Sequence, residues 1–221
     1  MADQPNRDPA GRRPSSRADH TAVVLIGHGA PATDCPPDWV GELMSLEWRT
    51  TRPRHPGDSA HQSLDAGRGA RARDSAPRAS TQDPGHARGA SLEARAAELD
   101  AKIRDWPRHA GNDPYKAGLE RLADTLRPLL PTGLFAIGYN EFCRPSIAEA
   151  VDTVITHGAR WVLVIPTMLT PGGIHSERDI PQALERVRWA HPDIHIDYLW
   201  PFNLDDVTAL LAAHVTRAVR P

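Results

Sequence analysis

Cysteine is nearly absent from this chain of 221 residues: Cys35 and Cys143 stand far apart, and neither belongs to a C-x-x-C pair. That spacing argues against a disulfide framework, a thiolate zinc site and an iron–sulfur cluster, and it fits a reducing compartment. An excess of either charge is also missing, with 26 basic against 28 acidic residues and a formal net charge of -2. Neither nucleic acid nor a membrane surface is therefore the expected partner, and a small soluble ligand is. Long apolar runs are lacking as well. The first 20 residues contain no apolar secretory core, and no run approaches the roughly 20 residues that span a bilayer. The expected location is the cytoplasm.

Large apolar side chains are scarce in one internal stretch too. Between Arg49 and Ala90 only Leu64 qualifies, among Arg, Gly, Pro, Ser, Asp and His. Such a segment buries too little to offset its ordering entropy, so disorder is expected over about residues 49–90 and in the tail 1–20. Eight arginines against four aspartates make the internal stretch locally basic, which fits either a solvated insertion or attraction of an anionic partner.

The full chain is 40% apolar, and outside those stretches it reads as alternating strands and helices. TAVVLI (21–26), LFAIGY (134–139) and WVLVIP (161–166) are nearly continuous apolar runs, as in strands covered on both faces, while IHIDYLW (194–200) alternates at its start and belongs at an edge. Helical spacing falls at 114–130, with Leu119, Leu122 and Leu126 on one face, at 145–159 up to Gly158, at 179–192 with Asp179 as N-cap and Gln182 at the capping-box position, and at 204–219. Two further helices, 39–48 and 91–106, lie in a long insertion covering residues 35–113. Alternation of this kind implies an α/β fold: a four-stranded parallel sheet flanked by helices, in a single domain over residues 21–219.

In open parallel sheets ligands bind beyond the carboxyl ends of the strands. Gly27-His28-Gly29 follows the first strand, Asn140 and Glu141 the second, and a Pro171-Gly172-Gly173-Ile174-His175 loop the third. His28, Glu141 and His175 thus converge on one sheet edge. Imidazole with carboxylate suits Fe(II), Co(II), Ni(II) or Zn(II), and the same groups suit proton transfer near neutral pH. A single histidine after a strand is more often a turn or packing residue than a ligand, and Glu141 alone fits an exposed position; three such residues at equivalent strand ends are harder to dismiss, while Asp179 reads as a helix cap before it reads as a partner of His175. A hydrolase built on Ser176 lacks the G-x-S-x-G elbow.

LIGHGAP, then YNEFCRPSIAEAVDTVITHGARWVLVIPTMLTPGGIHSERDIPQAL, then LWPFNLDDVTALL resemble the sirohydrochlorin chelatases, the class II tetrapyrrole chelatases, in their single-unit form. The likeness covers about residues 21–34 and 114–219 and departs from the family at Ala30-Pro31, where serine or threonine usually follows Gly29, and in the length of the insertion. It implies ATP-independent insertion of Co2+ or Fe2+ into sirohydrochlorin, in cobalamin or siroheme biosynthesis. It further implies that His28 and His175 bind the metal and accept protons with Glu141 as third member, that no cofactor is permanently bound, and that two units meet as a homodimer. Arg144 and Arg178 are candidates to pair with the ligand's carboxylates. A metal or tetrapyrrole carrier using the same site is the alternative.

Overall fold

The computed structural model describes residues 17–51 and 84–220. A single domain is the expectation from sequence; the contacts divide into two compact units, one of residues 1–34 with 104–221 and one of residues 35–103. The first unit holds strands β1 (Thr21–Gly27), β2 (Leu134–Tyr139), β3 (Trp161–Pro166) and β4 (His195–Tyr198). All pair in parallel, in the order β2-β1-β3-β4, which matches the four-stranded parallel sheet expected. Among the described residues no helix is long and apolar enough to cross a membrane.

β1 is central, and six of its seven residues, all but Thr21, are buried. One face of the sheet, through Ala22, Val24, Ile26, Val162, Val164 and Ile196, packs on helices α4 (Ile147–Thr156) and α5 (Ile180–Ala190). The opposite face, through Leu25 and Tyr139, meets Leu119 and Ala123 of α3 (Pro114–Leu126). Leu122, expected on that buried stripe, is exposed; Ala123 stands there instead, because positions 119, 123 and 126 follow the i, i+4, i+7 track of a helix face. Covering on both faces, expected for three strands, holds only for β1. β2 is an edge strand of intermediate burial over its first four residues, and β3 alternates, with Trp161, Leu163 and Ile165 only partly covered. An apolar run does not distinguish an edge position from a central one. β4 is the other edge, as expected.

α4 starts where a capping box forms, Ser146 Oγ accepting from the Glu149 N–H and the Glu149 carboxylate accepting from the Ser146 N–H. It stops before Gly158, which takes the left-handed φ of +97°. The final helix, α6 (Leu204–Val219), buries only Val207, while Leu204, Leu210, Leu211, Val215 and Val219 are exposed.

The second unit consists of α1 (Pro37–Thr51) and α2 (Pro84–Arg104), the latter ending at the unit boundary. Leu43, Leu46, Leu99 and Ile103 are buried, and Arg95 clamps Glu42 through two hydrogen bonds of 2.8 and 3.1 Å. The disorder expected over 49–90 is corrected at both ends, since 49–51 and 84–90 are helical; residues 52–83 lie outside the described ones. The tail expected over 1–20 is corrected likewise at Arg17–His20, a short 3-10 turn leading into β1, and 1–16 lie outside the described residues.

Candidate metal centre

The strand ends are tied to one another before any site residue is placed. Beyond β1 and β2 the ladder continues, with Asn140 N–H donating to Gly27 O at 3.0 Å and Glu141 N–H to His28 O at 2.9 Å, and on the other side Thr167 N–H donates to Ile26 O at 2.9 Å. Gly29 follows with φ +91°, so close under the next loop that a Cβ there would lie 1.9 Å from Glu141 O. Only glycine permits both that dihedral and that approach.

Two arginines hold the same loops from outside. Arg104 donates to Asn140 O at 2.9 Å and to Cys143 O at 3.0 Å. Arg108, almost wholly buried, donates to Ala30 O at 2.7 Å, to Phe142 O and to the buried Asp113 carboxylate. Asp113 in turn caps α3 by accepting from the Lys116 N–H, and the Tyr115 hydroxyl of α3 accepts the His28 N–H at 2.7 Å. The His28 and Glu141 loops therefore form one braced block.

Across this block stands His175. Candidate ligand atoms of His28, Glu141 and His175 all lie within 4.8 Å of one another, and the three side chains are half-buried. The imidazoles meet edge to face with centroids 4.5 Å apart, and Glu141 Oε1 is 3.5 Å from His175 Nδ1. Among the described residues this is the group of histidine, cysteine, aspartate or glutamate side chains spaced to hold an ion. A first-row ion with bonds of about 2.1 Å sets neighbouring donors roughly 3 to 3.5 Å apart, so small side-chain rotations close the set around one.

Each imidazole has one nitrogen held by neighbouring groups. His28 Nδ1 lies 2.7 Å from Gly29 O, which can only accept, so Nδ1 carries the proton and Nε2 the lone pair. His175 Nδ1 lies 2.8 Å from Asp179 Oδ2 and 3.0 Å from the Asn140 side-chain amide. The expected start of a helix at Asp179 is corrected: a π-helical turn over His175–Asp179 runs directly into α5, and Asp179 makes no capping bond. The spacing His-x-x-x-Asp was the available signal, but the cap rule, applied to an aspartate before Ile180-Pro181, pointed the other way.

Other expectations fare unevenly. Ser176 is buried and donates to Gly173 O at 3.2 Å within its own turn, which removes the hydrolase reading. Arg144 and Arg178, which fit either a ligand-pairing or a solvated role, pair within the chain: Arg144 with Asp105 and Glu149, and Arg178 with Asp179 at 2.9 Å. His157, His191 and His195 are engaged locally, with Thr153 O, Asp152 and Asp197. Arg104, Arg108 and Tyr115 carried no signal in the sequence, because the loop groups they hold, Asn140 O, Cys143 O, Ala30 O, Phe142 O and the His28 N–H, are backbone groups distant along the chain.

The fold and site together define a parallel α/β protein with an imidazole–carboxylate group at its strand ends. The CbiX family model matches residues 111–218. The sirohydrochlorin cobaltochelatase of Sulfurisphaera tokodaii is 31% identical over 88 residues, covering 39% of this chain and 69% of that protein. The chain belongs to the CbiX family of sirohydrochlorin chelatases. Proteins of the same name from Priestia megaterium and Methanocaldococcus jannaschii are each 36% identical, over 98 and 84 residues, or 44% and 38% of this chain. The matched stretch spans only 32% and 58% of those two relatives.

Proposed function

We propose that the protein inserts Co2+ or Fe2+ into sirohydrochlorin without ATP, with His28, His175 and Glu141 handling the metal and the released protons. The observation that carries this is the convergence of three donors from the segments that follow three separate strands, within 4.8 Å of one another, on a chain whose relatives are named sirohydrochlorin cobaltochelatase. Half-burial leaves the group open for a flat macrocycle to approach.

The chemistry balances simply: the macrocycle loses two N–H protons as it gains M2+. A lone pair on Nε2 of His28 or His175 cannot hold an ion and a proton together. Release of the metal to the pyrrole nitrogens therefore frees the atom that takes up a proton, which the imidazole then passes on to water. The ionised Glu141 contributes charge that draws the cation in and steadies an imidazolium beside it. The metal is substrate in this scheme, and no permanently bound cofactor enters it.

A homodimer completes the proposal. Its support within the chain is α6, whose Leu204, Leu210, Leu211, Val215 and Val219 face solvent in a pattern that a partner's surface would cover.

The test is to incubate sirohydrochlorin with Co2+ or Fe2+ and follow the absorbance change with and without protein. Acceleration is expected, with His28→Ala and His175→Ala each losing about 100-fold or more and Glu141→Ala less. A rate no higher than the metal-only control, despite binding of both substrates, would leave a carrier and end the enzyme reading.

A further inference from the structure

We infer that Asp179 is the positioning residue of this site: its carboxylate accepts the Nδ1 proton of His175, fixes the ring, and dedicates the Nε2 lone pair to metal and proton. The inference deepens the proposed function, resting on its reading of His175.

The geometry points there from several directions. Asp179 Oδ2 is 2.8 Å from Nδ1, within ordinary hydrogen-bonding distance. The carboxylate is three-quarters buried. Its second oxygen, Oδ1, accepts from Arg178 Nε at 2.9 Å, so the group is held from both sides. An aspartate at this place in a chain ordinarily caps the helix that follows, yet Asp179 makes no such bond, and the Ile180 N–H closes the widened turn by donating to His175 O. Wide turns of this kind are uncommon inside helices and cluster at functional sites. Here the turn sets residues 175 and 179 side by side.

Asn140 and Asp179 place opposite demands on one nitrogen. The Asn140 amide nitrogen, 3.0 Å away, can only donate to Nδ1, while an ionised Asp179 can only accept from it. The carboxylate prevails because it is charged and closer. Asn140 then serves the same proton once its amide is turned to present Oδ1, an orientation that differs only by exchanging its two ends. Glu141 Oε1, at 3.5 Å from Nδ1, lies beyond a normal hydrogen bond, so its charge stays available to the ion. Two carboxylates beside one imidazole thus divide the work: Asp179 orients, Glu141 attracts. His28 differs, its Nδ1 proton going to the neutral carbonyl of Gly29.

The test uses the full-length protein free of metal. Long-range proton–nitrogen NMR of the His175 ring should show hydrogen on Nδ1 in the wild type and a mixture of the two tautomers in Asp179→Ala. Co2+ titration should show affinity about 10- to 100-fold weaker in Asp179→Ala, largely restored in Asp179→Glu, with both variants melting as folded proteins. Hydrogen remaining on Nδ1 alone in Asp179→Ala, or unchanged Co2+ affinity there, would overturn the assignment. Absence of insertion activity in the wild type bears on the chelatase reading alone, since the tautomer is read without metal or tetrapyrrole.

Discussion

Replacing Gly29 by alanine separates two costs that the structure places at one residue. The first is conformational: φ +91° is left-handed for an L side chain, about 1–2 kcal/mol. The second is steric. The new Cβ would stand 1.9 Å from Glu141 O and 2.9 Å from Glu141 C, where real Cβ contacts stay beyond 3.0 Å. Both atoms are backbone, so relief requires the two loops to part by about 1.1 Å, the difference between those distances. Parting them strains the Glu141 N–H bond to His28 O and the Cys143 N–H bond to Glu141 O, at 2.9 and 2.7 Å. With about 1 kcal/mol for each bond, the full cost comes to roughly 3–4 kcal/mol, or a melting point lower by roughly 10 °C in a chain of this size. Gly172→Ala supplies the control, having φ +94° and nothing within 4 Å of its Cβ; it should show the conformational cost alone, about 1–2 kcal/mol. Urea unfolding reads both, and Co2+ titration should show weaker binding for Gly29→Ala because its backbone shift carries Glu141 away from His28. Equal destabilisation of the two variants, or undiminished Co2+ affinity in Gly29→Ala, would refute the reasoning.

Three other outcomes are expected. Arg108→Ala strands the Asp113 carboxylate in a buried place and should cost about 3–5 kcal/mol by chemical denaturation; a loss below about 1 kcal/mol would contradict the bracing role of Arg108. Leu211→Glu with Val215→Glu charges the exposed stripe of α6 and should convert a dimer to monomer by light scattering with the helical circular dichroism retained, whereas a variant that stays dimeric places the interface elsewhere. Burial pushes the Cys143 thiol above its ordinary 9.0, so the unfolded chain ionises first; the contribution is intact below pH 9 and is lost as pH rises through the folded value. Native Cys143 should accordingly resist thiol alkylation at pH 8 by peptide mass spectrometry, and rapid labelling of folded protein would contradict its burial.

What the sequence made legible was whatever a local pattern encodes. Period and length locate all four strands within two residues of their ends, because a parallel strand must be apolar where helices cover it. The rule that ligands gather past strand ends picks out His28, Glu141 and His175, and the register of β1 with β2 and β3 brings those ends level. Illegible was anything decided by partners far along the chain. That β2 is an edge depends on strand order rather than on LFAIGY itself. Asp179 serves the imidazole four residues back instead of a helix end, which only the π turn reveals. The low-apolar stretch was judged by composition alone, yet its flanks at 49–51 and 84–90 continue helices seeded outside it.

The site is built asymmetrically, and the asymmetry has a measurable consequence. His28 and Glu141 belong to a block closed by ladder bonds, by Gly29, by Tyr115 and by two arginines that donate to four loop carbonyls. Most of those bonds also hold the fold, so disturbing them should lower stability and metal affinity together. His175 reaches the same point from a loop with exposed Gly172, Gly173 and Ile174, and its orientation rests on side chains, Asp179 and Asn140. Disturbing those should lower affinity while leaving the fold nearly as stable as before. A plot of Co2+ affinity against unfolding free energy for Gly29→Ala, Arg108→Ala, Asn140→Ala and Asp179→Ala should therefore fall on two lines, the first pair sloping and the second nearly vertical. A single common line would mean that the half-site carrying His175 is braced as firmly as the other, against what the bonding around it implies.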